Sequence, residues 1–223
     1  MQKSQIKVAP SILAADFGNL AQEANRVEQA GADWIHIDVM DGHFVRNLTL
    51  GPQAVAAINK ATDLFLDVHI MAYSPFDWVE QFAQAGADQI TIHFEATEDV
   101  ADTLAFIRKC NIRAGLAFRP ETSESMMINY LDKCDLMLFM TVNPGFGGQE
   151  FMPEVLKKVE FARQMCDKLN YCLDIQVDGG IIPQTAKEAV DAGANVLVSG
   201  SWLFHEPDLK VAIQALKNCQ QEM

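Results

Sequence analysis

A four-residue fragment recurring at near-regular spacing constrains this chain more than any other feature: Ala30-Gly31-Ala32-Asp33, Ala85-Gly86-Ala87-Asp88 and Ala192-Gly193-Ala194-Asn195. Each copy follows a helical pattern and precedes an apolar run, so its glycine suits a helix C-cap and the run reads as a buried strand. Gly31 to Gly86 spans 55 positions and Gly86 to Gly193 spans 107, close to one to two. If those intervals hold two and four units, each unit is about 27 residues, enough for a strand and its crossover helix. A chain of 223 residues has room for about eight of them.

Eight apolar runs can be read directly: Ile6 to Leu13, Asp33 to Asp41, Leu64 to Met71, Gln89 to Glu95, Ile112 to Phe118, Leu136 to Val142, Leu173 to Asp178 and Asn195 to Ser201. Amphipathic segments such as Asn19 to Ala30 and Pro153 to Leu169 lie between them, and no Pro-, Ser- or Gly-rich linker divides the series. The predicted fold class is α/β, a closed (β/α)8 TIM barrel forming one domain over residues 1–223, with a doubly wound sheet as the fallback.

Seventeen basic against thirty acidic residues leave a net charge of -13, with no basic tract that could bind nucleic acid or an anionic membrane. No apolar run reaches membrane-spanning length, and the opening Met1-Gln2-Lys3-Ser4 carries no signal-peptide pattern, so a reducing cytoplasm is the expected compartment. The five cysteines, Cys110, Cys134, Cys166, Cys172 and Cys219, are odd in number and lack CxxC spacing, which argues against a disulfide framework or a thiolate metal site.

Side chains alternate faces along a strand, so His36 and Asp38 share one side of strand two while Ile35, Ile37 and Val39 share the other. The apolar face should meet the helices, which leaves His36 and Asp38 inside the barrel near its C-terminal end. By the same alternation strand three sends Asp67, His69 and Met71 inward, and strand seven sends Asp174, Gln176 and Asp178. A lone inward His is commonly a satisfied core group and a lone Asp commonly caps a helix. Several carboxylates converging with imidazoles are costly to bury without a cation, so His36, Asp38, His69 and Asp178 form a candidate shell for one divalent metal ion. His93 and Glu95 on strand four suit supporting hydrogen bonds, and His43 and His205 read as loop or surface residues. Met40, Met71 and Met140 lie near strand ends, where they could cap a site or simply pack.

Glycine marks the other half of the site. Asn143-Pro144-Gly145-Phe146-Gly147-Gly148-Gln149 follows strand six, Gly179-Gly180 follows strand seven and Gly200-Ser201 follows strand eight. Any one of these could merely turn the chain. Together they cluster where barrels commonly bind phosphate through loop amides, which suits a phosphorylated small molecule despite the acidic composition.

The motifs Ala9-Pro10-Ser11-Ile12-Leu13, Asp38-Val39-Met40-Asp41-Gly42, Asp67-Val68-His69, Met140-Thr141-Val142-Asn143-Pro144-Gly145-Phe146-Gly147-Gly148-Gln149 and Val177-Asp178-Gly179-Gly180 resemble the ribulose-phosphate 3-epimerase family over essentially the whole chain. The resemblance implies a barrel isomerase of the pentose phosphate pathway that interconverts D-ribulose 5-phosphate and D-xylulose 5-phosphate at C3. It implies a metal held by His36, Asp38, His69 and Asp178, with Ser11 and His69 contacting substrate. It places Gly145, Phe146, Gly147, Gly148, Gly179, Gly180, Gly200 and Ser201 on the phosphate side, and it implies a homo-oligomer. Asp38 and Asp178 match the proton acceptor and donor. Residue chemistry agrees, because inverting a carbon beside a ketone through an enediolate removes a proton from one face and returns one to the other. Zinc, ferrous iron, manganese or cobalt would all suit two His and two Asp.

The chain departs from the family pattern at Arg46, where Pro is usual, at Gln176, where Glu is usual, and at Arg119, where Asn or Lys is commoner. Three rival readings stand beside the first. An epimerase of a longer ketose phosphate such as allulose 6-phosphate would share the metal and both aspartates. The related barrel decarboxylase uses Asp-x-Lys-x-x-Asp on strand three, whereas Asp67-Val68-His69-Ile70-Met71-Ala72 lacks both the lysine and the second aspartate. A non-catalytic phosphate binder would have no need of both Asp38 and Asp178.

Overall fold

The computed structural model describes residues 5–220, so the start at Met1–Ser4 lies outside the described residues, as does 221–223. Eight parallel strands follow one another along the chain: β1 (Lys7–Pro10), β2 (Trp34–Met40), β3 (Phe65–Met71), β4 (Gln89–His93), β5 (Arg113–Phe118), β6 (Leu136–Met140), β7 (Asp174–Asp178) and β8 (Val196–Ser199). They form one sheet in the order β1-β8-β7-β6-β5-β4-β3-β2. Its two ends meet at a bridge between Ser11 and His36, so the sheet nearly closes into a barrel.

Crossovers run through α1 (Leu20–Gln29), α2 (Pro52–Asn59), α3 (Val79–Gln84), α4 (Val100–Lys109), α5 (Leu156–Leu169) and α6 (Pro183–Asp191), while α7 (Ser201–His205) and α8 (Leu209–Lys217) follow β8. The β5–β6 crossover carries a 3-10 segment, Glu124–Tyr130, in place of an α-helix. Several apolar runs extend past their strands. Glu95 lies in a 3-10 turn after β4, Val142 lies beyond β6, and Ser201 opens α7 and is not part of a strand.

The recurring fragment has a structural cause that its spacing alone does not disclose. Gly31, Gly86 and Gly193 all sit at positive φ (88°, 100° and 113°), and each closes a helix in the same way. The Gly31 amide donates to Glu28 and the Ala32 amide to Val27; Gly86 and Ala87 repeat this with Ala83 and Phe82, and Gly193 and Ala194 with Val190 and Ala189. This is the double closure that satisfies the last carbonyls of a helix. The fourth residue of each copy then turns to the preceding strand. Asp33 accepts from the Val8 amide at 2.8 Å, Asp88 from Leu66 at 2.8 Å and Asn195 from Ile175 at 2.7 Å. The backbone answers, each of the three amides donating to the carbonyl of that same partner residue. A fourth clamp joins Asp135 to Ala114 in the same manner, with a side-chain bond of 2.8 Å. The clamp therefore recurs at every second strand, tying the start of one strand to the start of the next, and the fragment marks three of its four occurrences.

Inside the barrel the lining is divided. Ala9, Trp34, Ala117, Leu136, Leu138, Met140, Val196 and Val198 form an apolar cluster, while His36, Asp67, His69, Gln89, Thr91, His93 and Gln176 are polar and fully buried. Outside it, Ile35, Ile37, Val68, Ile70, Ile90 and Ile92 join the main core beneath the helices, as the alternation predicts.

Candidate active site

Register brings the metal candidates together. Along β2 and β3, His36 pairs with Asp67 and Asp38 with His69, while β7 delivers Asp178 between Met140 of β6 and Val198 of β8. One ligand atom from each of His36, Asp38, His69 and Asp178 falls within 4.8 Å of every other. His36 Nε2 lies 3.3 Å from both His69 Nδ1 and Asp38 Oδ1, and 3.8 Å from Asp178 Oδ2. His69 Nδ1 lies 3.1 Å from Asp38 Oδ1 and 3.9 Å from Asp178 Oδ2. Donors held ~2.0–2.2 Å from one ion in a tetrahedron stand ~3.3 Å apart, so the set fits a small divalent cation. Nitrogen and carboxylate oxygen in equal number suit a borderline transition metal.

The far nitrogen of each imidazole is occupied. His36 Nδ1 meets Asp67 Oδ2 at 2.8 Å, and Asp67 also accepts from Gln89 Nε2 (2.8 Å) and Gln176 Nε2 (2.6 Å). With an amide at position 176 the residue donates, so Asp67 keeps all its capacity as an acceptor. His69 Nε2 meets His93 Nε2 at 2.9 Å, and His93 Nδ1 meets Glu95 Oε2 at 3.1 Å. Burial holds His93 down to about 4. Burial would raise Glu95, but its hydrogen bonds and attraction to His93, with further donors from Thr122 and Arg119, bring it to about 2.

The two aspartates stand in unlike surroundings. Burial would raise Asp38, yet the charge and hydrogen bonds of His36 and His69 hold it well below the usual carboxylate range. Asp178 is pushed up to about 6, first by burial and then by the charge of Asp38. Two carboxylates whose proton affinities are driven apart are the mark of an acid and base pair. Ser11 Oγ donates to Asp38 Oδ2 at 2.6 Å and fixes that carboxylate's orientation.

Above them opens a cavity of about 320 Å³. Ser11, Asp38 and Asp178 lie on its wall, as do Gly145, Phe146, Gly147, Gly148, Gly179, Gly180, Gly200 and Ser201. His36 and His69 are fully buried and do not line it, so of the two expected substrate contacts Ser11 is on the wall and His69 is not. Met40, Met71 and Met140 are on the wall too, which gives the capping role geometric support. Glycine is required sterically at Gly179 and Gly180: both have positive φ, and a Cβ would fall 2.5 Å from Val142 Cγ2 or 2.8 Å from the Phe151 amide nitrogen. Sequence reading missed the braces of this loop system. Asn47 Nδ2 donates to the Gly145 carbonyl (2.8 Å), and Gln149 Nε2 donates to those of Asn143 (2.7 Å) and Phe146 (2.8 Å). Of the departures, Arg119 stacks on Phe44 at 4.1 Å and donates to its carbonyl at 3.0 Å, while Arg46 is exposed. His43 and His205 are exposed as expected.

Fold and site together define a barrel enzyme whose cavity wall carries two carboxylates, Asp38 and Asp178, beside glycine-rich loops. Comparison with known proteins makes that particular. Residues 7–204 match the Ribulose-phosphate 3 epimerase family. A ribulose-phosphate 3-epimerase of Chlamydia pneumoniae is 50% identical over 211 residues, covering 93% of this chain and 92% of its own. One of Bacillus subtilis is 47% identical over 213 residues, covering 95% and 98%. Among solved structures, KGPDC from Streptococcus mutans superposes with a TM-score of 0.72 at 16% identity, covering 96% of this chain and 97% of its own, and shares the fold. The chain belongs to the ribulose-phosphate 3-epimerase family.

Proposed function

We propose that this chain interconverts D-ribulose 5-phosphate and D-xylulose 5-phosphate by inverting C3, with one divalent ion per chain held by His36, Asp38, His69 and Asp178. The observation that carries the reading is the meeting of Asp38 and Asp178 on the wall of one cavity over two buried imidazoles, in a chain of this family. A bound divalent ion supplies positive charge where negative charge develops on the ketose oxygens. The rest is done by the chain's own groups. One aspartate takes the C3 proton from one face while the other returns a proton to the opposite face, and the roles exchange with direction. Ser11 keeps Asp38 oriented. Met40, Met71 and Met140 present thioethers to the cavity and exclude water from the reacting carbons. Backbone amides around Gly145 to Gly148, Gly179, Gly180, Gly200 and Ser201 receive the phosphate, needing no basic side chain in a protein of net charge -13.

The family resemblance further supports a homo-oligomer working in the cytoplasm in the pentose phosphate pathway. Among the described residues no helix is long and apolar enough to cross a membrane. The test is turnover of ribulose 5-phosphate by protein whose metal content has been measured, with allulose 6-phosphate and free ribulose in parallel. We expect the pentose phosphate to be the best substrate and free ribulose to lose about 10³-fold or more in kcat/KM, since remote binding energy positions the reacting carbon. Faster turnover of allulose 6-phosphate would transfer the assignment to the longer ketose, and equal kcat/KM for ribulose and its 5-phosphate would remove the glycine loops from it.

A further inference from the structure

Resting on the reading of the site as a metal centre, we propose that Glu95, which lies two hydrogen bonds from His69, is the positioning residue that decides which nitrogen of His69 is free to bind the ion.

The argument is one of proton parity. His69 and His93 meet Nε2 to Nε2 at 2.9 Å, so one ring must donate and the other accept. Among the described contacts, the only other bond of His93 is from Nδ1 to Glu95 Oε2 at 3.1 Å. Glu95 is the acceptor there: its Oε1 takes the Arg119 amide at 2.9 Å and Thr122 Oγ1, and these donors together with His93 hold the group as a carboxylate. His93 therefore carries its proton on Nδ1 and accepts at Nε2. His69 must then donate from Nε2, which in the neutral ring that an ion requires leaves a bare lone pair on Nδ1, the atom that faces Asp38 and Asp178. His36 achieves the same end with Asp67 in direct contact. His69 achieves it through a second imidazole, so its donor state is set from the loop after β5, where Arg119 and Thr122 lie. Phe44, 4.8 Å from the His93 ring, shields the middle of the chain.

Glu95→Gln tests the parity directly. The amide oxygen is held where Arg119 and Thr122 donate, so the amide NH2 faces His93 Nδ1 and reverses every bond up to His69 Nδ1. Zinc is the probe: its affinity is measured by competition with a chromophoric chelator for the full chain, for Glu95→Gln, for His93→Leu and for the double variant. We expect Glu95→Gln to weaken zinc binding about 10- to 100-fold. In the His93→Leu background the same change should do almost nothing, because the connecting ring is gone. An independent reading comes from long-range 1H–15N spectra of the zinc-loaded wild type, which should place the His93 proton on Nδ1 and the His69 proton on Nε2. A Glu95→Gln protein that binds zinc as tightly as wild type, an equal loss with and without His93, or a His93 proton on Nε2 would each overturn the proposal. Wild type that binds no zinc would overturn it together with the metal centre, whereas wild type that binds zinc beside an indifferent Glu95→Gln defeats the proposal alone.

Discussion

At the base of the barrel one device is used four times, whereas at the mouth the ionisable groups differ from strand to strand. Val8, Leu66, Ala114 and Ile175 each have their amide closed by an Asp or Asn from the start of the next strand. The contrast is sharpest on β7, which carries an aspartate at each end. Asp174 is met by Lys7 Nζ at 2.9 Å, Arg113 Nη2 at 2.7 Å and Asn195 Nδ2 at 2.6 Å, and against the pull of burial these hold its pKa below the ordinary value. Asp178, four residues on and facing the same interior, is raised by burial and by Asp38. Paired charges at the base add stability, whereas burial and the like charge of Asp38 make an ionised Asp178 costly at the mouth, where the proposed proton transfers take place.

The largest effect should follow from removing one of the opposed carboxylates. Asp38→Asn and Asp178→Asn should each lower net epimerisation by about 10³-fold or more, since proton transfer from one face cannot be supplied by the other. Each variant should still exchange the C3 hydrogen with heavy water without inversion, the two preferring opposite epimers. Metal content has to be matched, because Asn is a weaker ligand. Near-normal epimerisation by a metallated variant would end the two-base assignment and direct attention to another acid near the site, Glu95.

A smaller effect, of opposite sign, should appear in stability. In metal-free protein the folded pKa of Asp178 is about 6, above its ordinary 3.8. Its contribution is thus favourable below about pH 4, is lost as pH rises through 6, and the ionised form weighs against folding beyond that. Metal-free Asp178→Asn should be more stable than metal-free wild type by on the order of 2 kcal/mol at pH 8, the gain vanishing by pH 4. Denaturant melts at the two pH values measure it. An Asp178→Asn protein that is less stable at pH 8 would show that the mouth is not strained.

Much of this was legible in the sequence, for reasons that differ by residue. The inward placement of His36, Asp38, His69 and Asp178 follows from strand alternation, which needs only that β2, β3 and β7 be strands. Strand ends were overrun because a run of apolar residues reports burial and not pairing: Val142 is buried on the cavity wall although β6 stops at Met140. The fourth basal clamp escaped notice for a physical reason. No α-helix precedes Asp135, so Lys133-Cys134-Asp135 needs no glycine at positive φ to end one, and the flag that marks the other three is missing. His93 and Glu95 were visible as supporting residues, but the order of donors between them depends on rotamers that no spacing reveals.

The smallest expected effect tests whether the basal device is purely structural. Asp88→Ala removes the acceptor of the Leu66 amide, and Leu66 is fully buried, so the N–H loses a partner that water reaches poorly. An amide stripped of its partner in this way costs ~1–2 kcal/mol. The companion Asp88→Asn should cost almost nothing, because Asn195 already makes the same bond to Ile175 with its amide oxygen at 2.7 Å. Both variants should keep the kcat of wild type, since the clamp lies at the end of β3 and β4 remote from Asp38 and Asp178. Denaturant midpoints give the first quantity and steady-state turnover the second. A kcat that fell in step with stability would mean that the base and the mouth are coupled, and the division of labour along the strands would have to be redrawn.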